Sequence, residues 1–189
     1  MSSHHVIREK QEPALLVISL INFSDELLGQ LLEWSPTVVA LPHTAEELNS
    51  LGIKVDVVVG HEVTAHLQEH VKLIFTGAEN PIAAALNYLA NEGYPAVNVV
   101  TDDVEINQYE QFIERINLVI YSGTQKIYPV SSGFSKWKPA GERVRILSLC
   151  ADLQTTGLLA QPDGDHITLA DGLFSLTFTG PYLFIAEEL

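Results

Sequence analysis

Between Ala14 and Gly123 short apolar runs alternate with stretches whose leucines and alanines recur at helical spacing, and few folds accept that alternation. ALLVISLI (14–21) precedes SDELLGQLLEW, where Ser24 or Asp25 can cap a helix. TVVALP (37–42) precedes TAEELNSLG, in which Thr44 and Glu47 fit a capping box and Gly52 a helix exit. KVDVVVG (54–60) leads into HEVTAHLQEHV, a further helical pattern, and then KLIFTG (72–77). ENPIAAALNYLANEG is the best helix in the chain, with Pro81 in its first turn and Gly93 at its exit. AVNVVTD, a helical stretch around Ile106 to Arg115 and NLVIYSG (117–123) complete the series. Parallel strands need long crossovers, and helices supply them. The expectation is an α/β domain over residues 1–125, a doubly wound, mostly parallel sheet with helices on both faces.

After about residue 125 the helical period disappears. QKIYPVS, RVRILSLC, TTGLLA, HITLA, LFSLTFT and YLFIAEEL are short strands separated by Ser132-Gly133, Pro162 to Gly164, Asp171-Gly172 and Gly180-Pro181. Residues 126–189 are therefore expected to form a small antiparallel β-sandwich domain. The whole chain of 189 residues is 47% hydrophobic, enough for a real core in both parts.

Charge divides along the same line. Lys and Arg total 10 against 24 Asp and Glu, a formal charge of -14. From residue 126 there are five basic and seven acidic residues, which leaves five and seventeen before it. Such a surface repels a phosphate backbone, so nucleic acid is not an expected partner. The amino terminus has no apolar core of a secretory signal and the longest apolar run is too short for a bilayer, so a soluble cytoplasmic protein with no membrane partner is expected. Cys150 is the single cysteine, which rules out an intrachain disulfide and suits a core position. His4 and His5 are adjacent near the terminus, His61 and His66 are five residues apart, and His66 and His70 share helical spacing without a metalloprotease order; solvated side chains are the expectation for all.

Two stretches carry candidate chemistry. In KVDVVVGHEVT a valine strand ends in Gly60 at the edge where open α/β sheets bind ligands, and it delivers His61, Glu62, Val63 and Thr64 there. SGFSKWKPAGERVR places Lys136, Trp137 and Lys138 near two arginines, a set able to hold an anion or stack a flat ring, or else a solvated hairpin with Trp137 packed at its base.

The order of elements resembles that of the thiamine pyrophosphokinase family, an α/β nucleotide domain followed by a β-sandwich, over nearly the whole chain. GIKVDVVVGHEVT is the closest local match, because the family has a strand that begins near an aspartate and ends in Gly-Asp-x-Asp-Ser. Asp56 and Gly60 keep that pattern, while His61 and Val63 stand in place of its two aspartates and Thr64 in place of its serine. The family's next motif, Asp-x-Thr-Asp-x-x-Lys-Ala-Leu, falls on residues 78–86. Ala85 and Leu86 are retained there, whereas Ala78, Pro81 and Ala84 replace the two aspartates and the lysine. Where the family has Gly-Gly-Arg-x-Asp-His this chain has TDDVEINQYEQ, and TTGL (155–158) matches a Thr-x-Gly-Leu turn. A later Ser-Asn pair that helps hold thiamine falls near Asp171 and Gly172.

What the resemblance implies is a homodimer, a magnesium-dependent transfer of pyrophosphate from ATP to thiamine, and a thiamine site in the β part. Such a transfer leaves the protein to position its substrates and neutralise charge. Carboxylates hold the metal, and losing one preorganised contact costs about 10²- to 10³-fold in rate. With no oxygen donor at Val63, Ala78 or Pro81, the expectation is a catalytically inactive relative that needs no cofactor and is kept for binding a thiamine-like molecule or for an interaction. A purely structural subunit is one alternative. Another is an active enzyme that binds magnesium and ATP through displaced ligands, with Glu62, Glu79, Asp102 and Asp103 as candidates. In the β part, Trp137, Thr155, Gly157 and Asp171 are the candidate contacts for a heterocycle.

Overall fold

The structure, a computed structural model, describes residue 10 and residues 12–61, 70–150 and 152–189. His4, His5, Glu62, Val63, Thr64, His66 and most of the helix expected in HEVTAHLQEHV lie outside the described residues. The chain divides into two compact units, Met1–Leu118 and Val119–Leu189.

Five parallel strands build the first unit: β1 (Ala14–Val17), β2 (Val38–Ala40), β3 (Val57–Gly60), β4 (Lys72–Phe75) and β5 (Ala96–Val100). Their lateral order is β5-β1-β2-β3-β4. Every residue of β1, β2 and β3 is buried, which is why these strands are written as unbroken apolar runs rather than alternating ones. Strand β4 at the edge is mostly exposed.

Helix α1 (Asp25–Leu32) is capped by Ser24, whose Oγ accepts the amide of Leu27. Helix α2 (Pro42–Ser50) starts earlier than the sequence pattern implied, with Pro42 in its first turn. Thr44 therefore lies inside the helix and makes no capping box. Its buried hydroxyl donates instead to the carbonyls of Val17 and Leu41, each at 3.1 Å. Helix α3 (Pro81–Asn91) opens with Asn80 accepting the amides of Ile82 and Ala83, and it buries Ala84, Ala85, Leu86 and Leu89.

The expected helix around Ile106 to Arg115 is instead two short 3-10 turns, Ile106–Gln108 and Glu110–Phe112. Tyr109 and Phe112 are both fully buried, and residues three apart eclipse one another at three residues per turn. Burial, reinforced by Asp103 and Glu105, pushes the Tyr109 hydroxyl up to about 12. No described helix is long and apolar enough to cross a membrane.

The second unit is antiparallel. Strand β6 (Asn117–Ser122) enters it and pairs with β7 (Gln125–Val130). The other strands are β8 (Phe134–Lys138), β9 (Arg143–Ile146), β10 (Gln154–Thr156), β11 (Leu158–Ala160), β12 (His166–Thr168), β13 (Gly172–Thr177) and β14 (Leu183–Glu188). One layer runs β11-β12-β9-β14-β7-β6 and a smaller one β10-β13-β8. Between them Val130, Val144, Leu158, Phe174, Leu176, Phe178, Leu183 and Ile185 form the core, with Cys150 partly buried against it. Strand content is thus mixed, parallel in the first unit and antiparallel in the second.

Of the two readings of SGFSKWKPAGERVR, the basic cluster does not assemble, because successive side chains of a strand point to opposite faces. Lys136 and Lys138 turn inward to Glu187, with Lys136 Nζ 2.5 Å from its Oε2. Trp137 turns outward, 58% exposed beside an exposed Leu173, so it is not packed at the hairpin base. Arg143 and Arg145 are both held by Asp165, at 2.8 Å and 2.7 Å.

Asp165 gives this unit an acid-sensitive joint. Hydrogen bonds from Arg145 and then Arg143 hold its carboxyl down at about 2, against about 3.9 for a free aspartate. A carboxyl depressed by folding stabilises fully above its unfolded value, and that stabilisation disappears as pH falls through its folded one. Thermal unfolding is expected to become steeply pH-dependent between about pH 4 and pH 2, and Asp165→Asn to flatten that slope. An unchanged slope in the variant would remove Asp165 as its source.

Candidate functional site

Because β1 to β5 are parallel, their carboxyl ends share one edge, and lateral order reverses between β1 and β5. In open α/β sheets the crevice at such a reversal is where ligands bind. Here Asp102, directly after β5, reaches across it. Its Oδ2 accepts from Ser19 Oγ at 2.6 Å and from the Ile21 amide at 2.8 Å, and its Oδ1 accepts from the Asn22 amide at 2.7 Å. In return the Asp102 amide donates to Ser19 Oγ. Burial alone would raise this carboxyl, but the bonds from Ser19 and from the amides of Asn22 and Ile21 outweigh it and hold it below its ordinary value. The carboxylate ties the segment after β1 to the segment after β5.

Asp103 closes locally: its amide donates to Thr101 Oγ1, whose own proton goes to the Asp103 carbonyl. At the ends of β3 and β4 the chain is laced again. Gly60, the last residue of β3, faces Phe75 and accepts the Thr76 amide. His61 Nδ1 lies 2.6 Å from the Gly77 carbonyl oxygen and 2.8 Å from Thr76 Oγ1, so the imidazole binds β3 to the turn after β4. Ala78 is exposed in that turn, Pro81 opens α3, and Ala84 is buried on its inner side. Glu79 accepts from the Asn87 amide group at 2.9 Å.

The described positions do not fit a magnesium-bound triphosphate. Magnesium wants several oxygen ligands in near-octahedral array. Among the described residues no three His, Cys, Asp or Glu side chains gather to hold a metal, and Asp102 already accepts from three donors of its own chain. The first amides of α3, a natural phosphate cradle, are taken by Asn80. The described cations of this unit are Lys10, Lys54, Lys72 and Arg115. Lys54 precedes β3 and Lys72 opens β4, at the opposite edge, while Lys10 is paired with Glu92 and Arg115 with Asn87 and Asn91.

In the second unit Thr155 stands opposite Leu176 on the core side, and Gly157 lies against the Leu173 carbonyl. Asp171 Oδ1 accepts the Ala140 amide at 2.8 Å and joins two turns. Of the four candidate contacts there, only Trp137 is presented to solvent as a ring. The Ser19–Asp102 clamp and the Glu187 anchor escaped the sequence pattern, although a serine in ALLVISLI and an acid in YLFIAEEL were their visible traces.

No protein-family profile matches the sequence, and no curated protein sequence matches it. Solved structures do. A probable thiamine pyrophosphokinase from Staphylococcus saprophyticus superposes with a TM-score of 0.67 at 12% identity, covering 93% of this chain and 98% of that one. Yeast thiamin pyrophosphokinase gives 0.67 at 9% identity over 96% and 87% of the two chains. Thiamin pyrophosphokinase from Candida albicans gives 0.60 at 12% over 94% and 90%. Over nearly its whole length, and at an identity that marks wide divergence, the chain has the fold of the thiamine pyrophosphokinases.

Proposed function

We propose that this is a thiamine pyrophosphokinase-related protein without pyrophosphoryl-transfer activity, retained to bind a small ligand or a partner. The observation that carries this reading is Asp102, an acid at the crevice edge that is spent on three donors of its own chain instead of a metal. His61, Thr76 and Gly77, which bond one another at the end of β3, support it. The first unit is taken as doubly wound, since β5 lies on the opposite side of β1 from β2, β3 and β4. The protein is taken to work as a homodimer in the cytoplasm, and a single cysteine suits a reducing compartment. A thiamine-like heterocycle, with Trp137 as its stacking partner, is the ligand the fold family suggests.

Calorimetric titration with thiamine and with magnesium-ATP tests the reading. Magnesium-ATP is expected to give no saturable heat. Saturable heat with thiamine alone identifies a small-ligand protein, silence with both an interaction protein, and saturable heat with both contradicts the proposal in favour of displaced ligands.

A further inference from the structure

The charge of the first unit is distributed the wrong way round for a nucleotide fold, and that points to a different site. A cleft of about 730 Å³ opens at the amino-terminal edge of β2, β3 and β4, within the size range of small-molecule sites. Lys54, Asp56, His70, Lys72, Tyr88 and Tyr94 are among its polar lining. Leu32 and Ile53 line it too and also line a second hollow of about 320 Å³, whose remaining wall is Asp25, Leu28, Gly29 and Leu51. The two cavities are therefore neighbours across the same two apolar side chains. A side chain at Gly29 would meet nothing within 4 Å, so the helix leaves that hollow open.

We infer that these two adjoining hollows together bind an amphipathic carboxylate, its alkyl chain along Leu28, Leu32, Leu51 and Ile53 and its head group between Lys54 and Lys72. Charge complementarity selects the head. An ammonium carries three donors, and Asp56 Oδ1 engages Lys54 Nζ at 2.5 Å while Asp56 Oδ2 accepts the Val38 amide. Lys72 lies 4.5 Å from the Tyr88 ring centroid, with its oxygen neighbours no nearer than 3.5 Å at Tyr88 and 3.7 Å at Glu92. Both ammonium groups thus keep donors for an incoming carboxylate, in a unit whose net charge is otherwise strongly negative. Apolar walls select the tail, since burying each methylene is worth about 0.8 kcal/mol. The site is independent of the reading of the carboxyl edge.

Decanoate is the probe, titrated into the full chain with the methyl groups of Leu28, Leu32, Leu51 and Ile53 followed by NMR. Saturable binding is expected, with decyltrimethylammonium, the same tail with a cationic head, at least about tenfold weaker. Lys54→Gln with Lys72→Gln is expected to weaken decanoate by about tenfold or more, as is Gly29→Phe, which fills the hollow. Lys126→Gln, in the other unit, serves as the control and is expected to change nothing. Equal affinity for the two head groups, no saturable shift, or an unaffected lysine double variant that retains the native thermal midpoint overturns the inference.

Discussion

Replacing Glu187 with alanine is expected to destabilise the β unit by about 3 kcal/mol, the lower end of the usual cost of removing one partner from a buried ion pair, since Lys136 is partly exposed and Lys138 has a second partner. Glu187 lies in β14 and retains 4% of its surface, while the lysines that reach it, Lys136 and Lys138, come from β8 in the other layer. Lys136 bonds Oε2, and Lys138 lies 3.7 Å from Oε1. The carboxylate therefore holds the two sheets together across the core. Burial, and then the nearby Glu187 charge, also push the Tyr128 hydroxyl upward, so that ring stays neutral beside Lys136. Without the carboxylate, Lys138, itself only 9% exposed, keeps Glu142 at 3.6 Å as its remaining ion-pair partner. Urea unfolding followed by circular dichroism checks this. A triple variant with Glu187, Lys136 and Lys138 all made apolar is expected to recover much of the loss, because removing a buried pair whole avoids stranding a charge. A Glu187→Ala midpoint equal to that of the unaltered protein would show that the sheets do not depend on this contact.

Gly157→Val is the second large effect expected. Gly157 links β10 to β11, strands of different layers, with φ at +74°. A side chain there costs about 1–2 kcal/mol for the left-handed backbone alone, and β-branching makes it worse. Its Cβ would also lie 2.7 Å from the Leu173 carbonyl oxygen and 3.2 Å from the Phe174 Cα, backbone atoms that cannot swing aside. A total of about 3 kcal/mol or more is expected. Gly164→Ala separates the two contributions. Gly164 has φ +88° but open space around it, so only the conformational share, about 1–2 kcal/mol, should appear. Similar losses in the two variants would refute the close approach at Gly157.

Local chemistry made much of this fold legible. Unbroken valine and leucine runs marked β1 to β3, and Ser24, Pro81 and the glycine after α3 punctuated the helices. What escaped is non-local. Thr44 has the right neighbour for a capping box, but the carbonyl of Val17, 27 residues earlier, takes its hydroxyl into the core. Ile106 to Arg115 has helical spacing, yet two buried aromatics three apart tighten it into 3-10 turns. The same holds at the carboxyl edge. Motif positions showed which acids were replaced, but only the structure pairs Asp102 with a serine 83 residues away and so turns a candidate metal ligand into a clamp. In sequence Trp137 reads either as one of a binding set with Lys136 and Lys138 or as packed at the base of a solvated hairpin; strand alternation sends it outward while the lysines go in.

On the reading proposed above, the carboxyl edge of the parallel sheet, tied among the described residues by Asp102 and His61, does not handle a metal-bound nucleotide. The most direct test is the magnesium-ATP arm of the calorimetric titration, run with thiamine present and the mixture assayed for AMP. No saturable heat and no AMP above a protein-free control are expected. Saturable binding accompanied by stoichiometric AMP and thiamine diphosphate would contradict that reading.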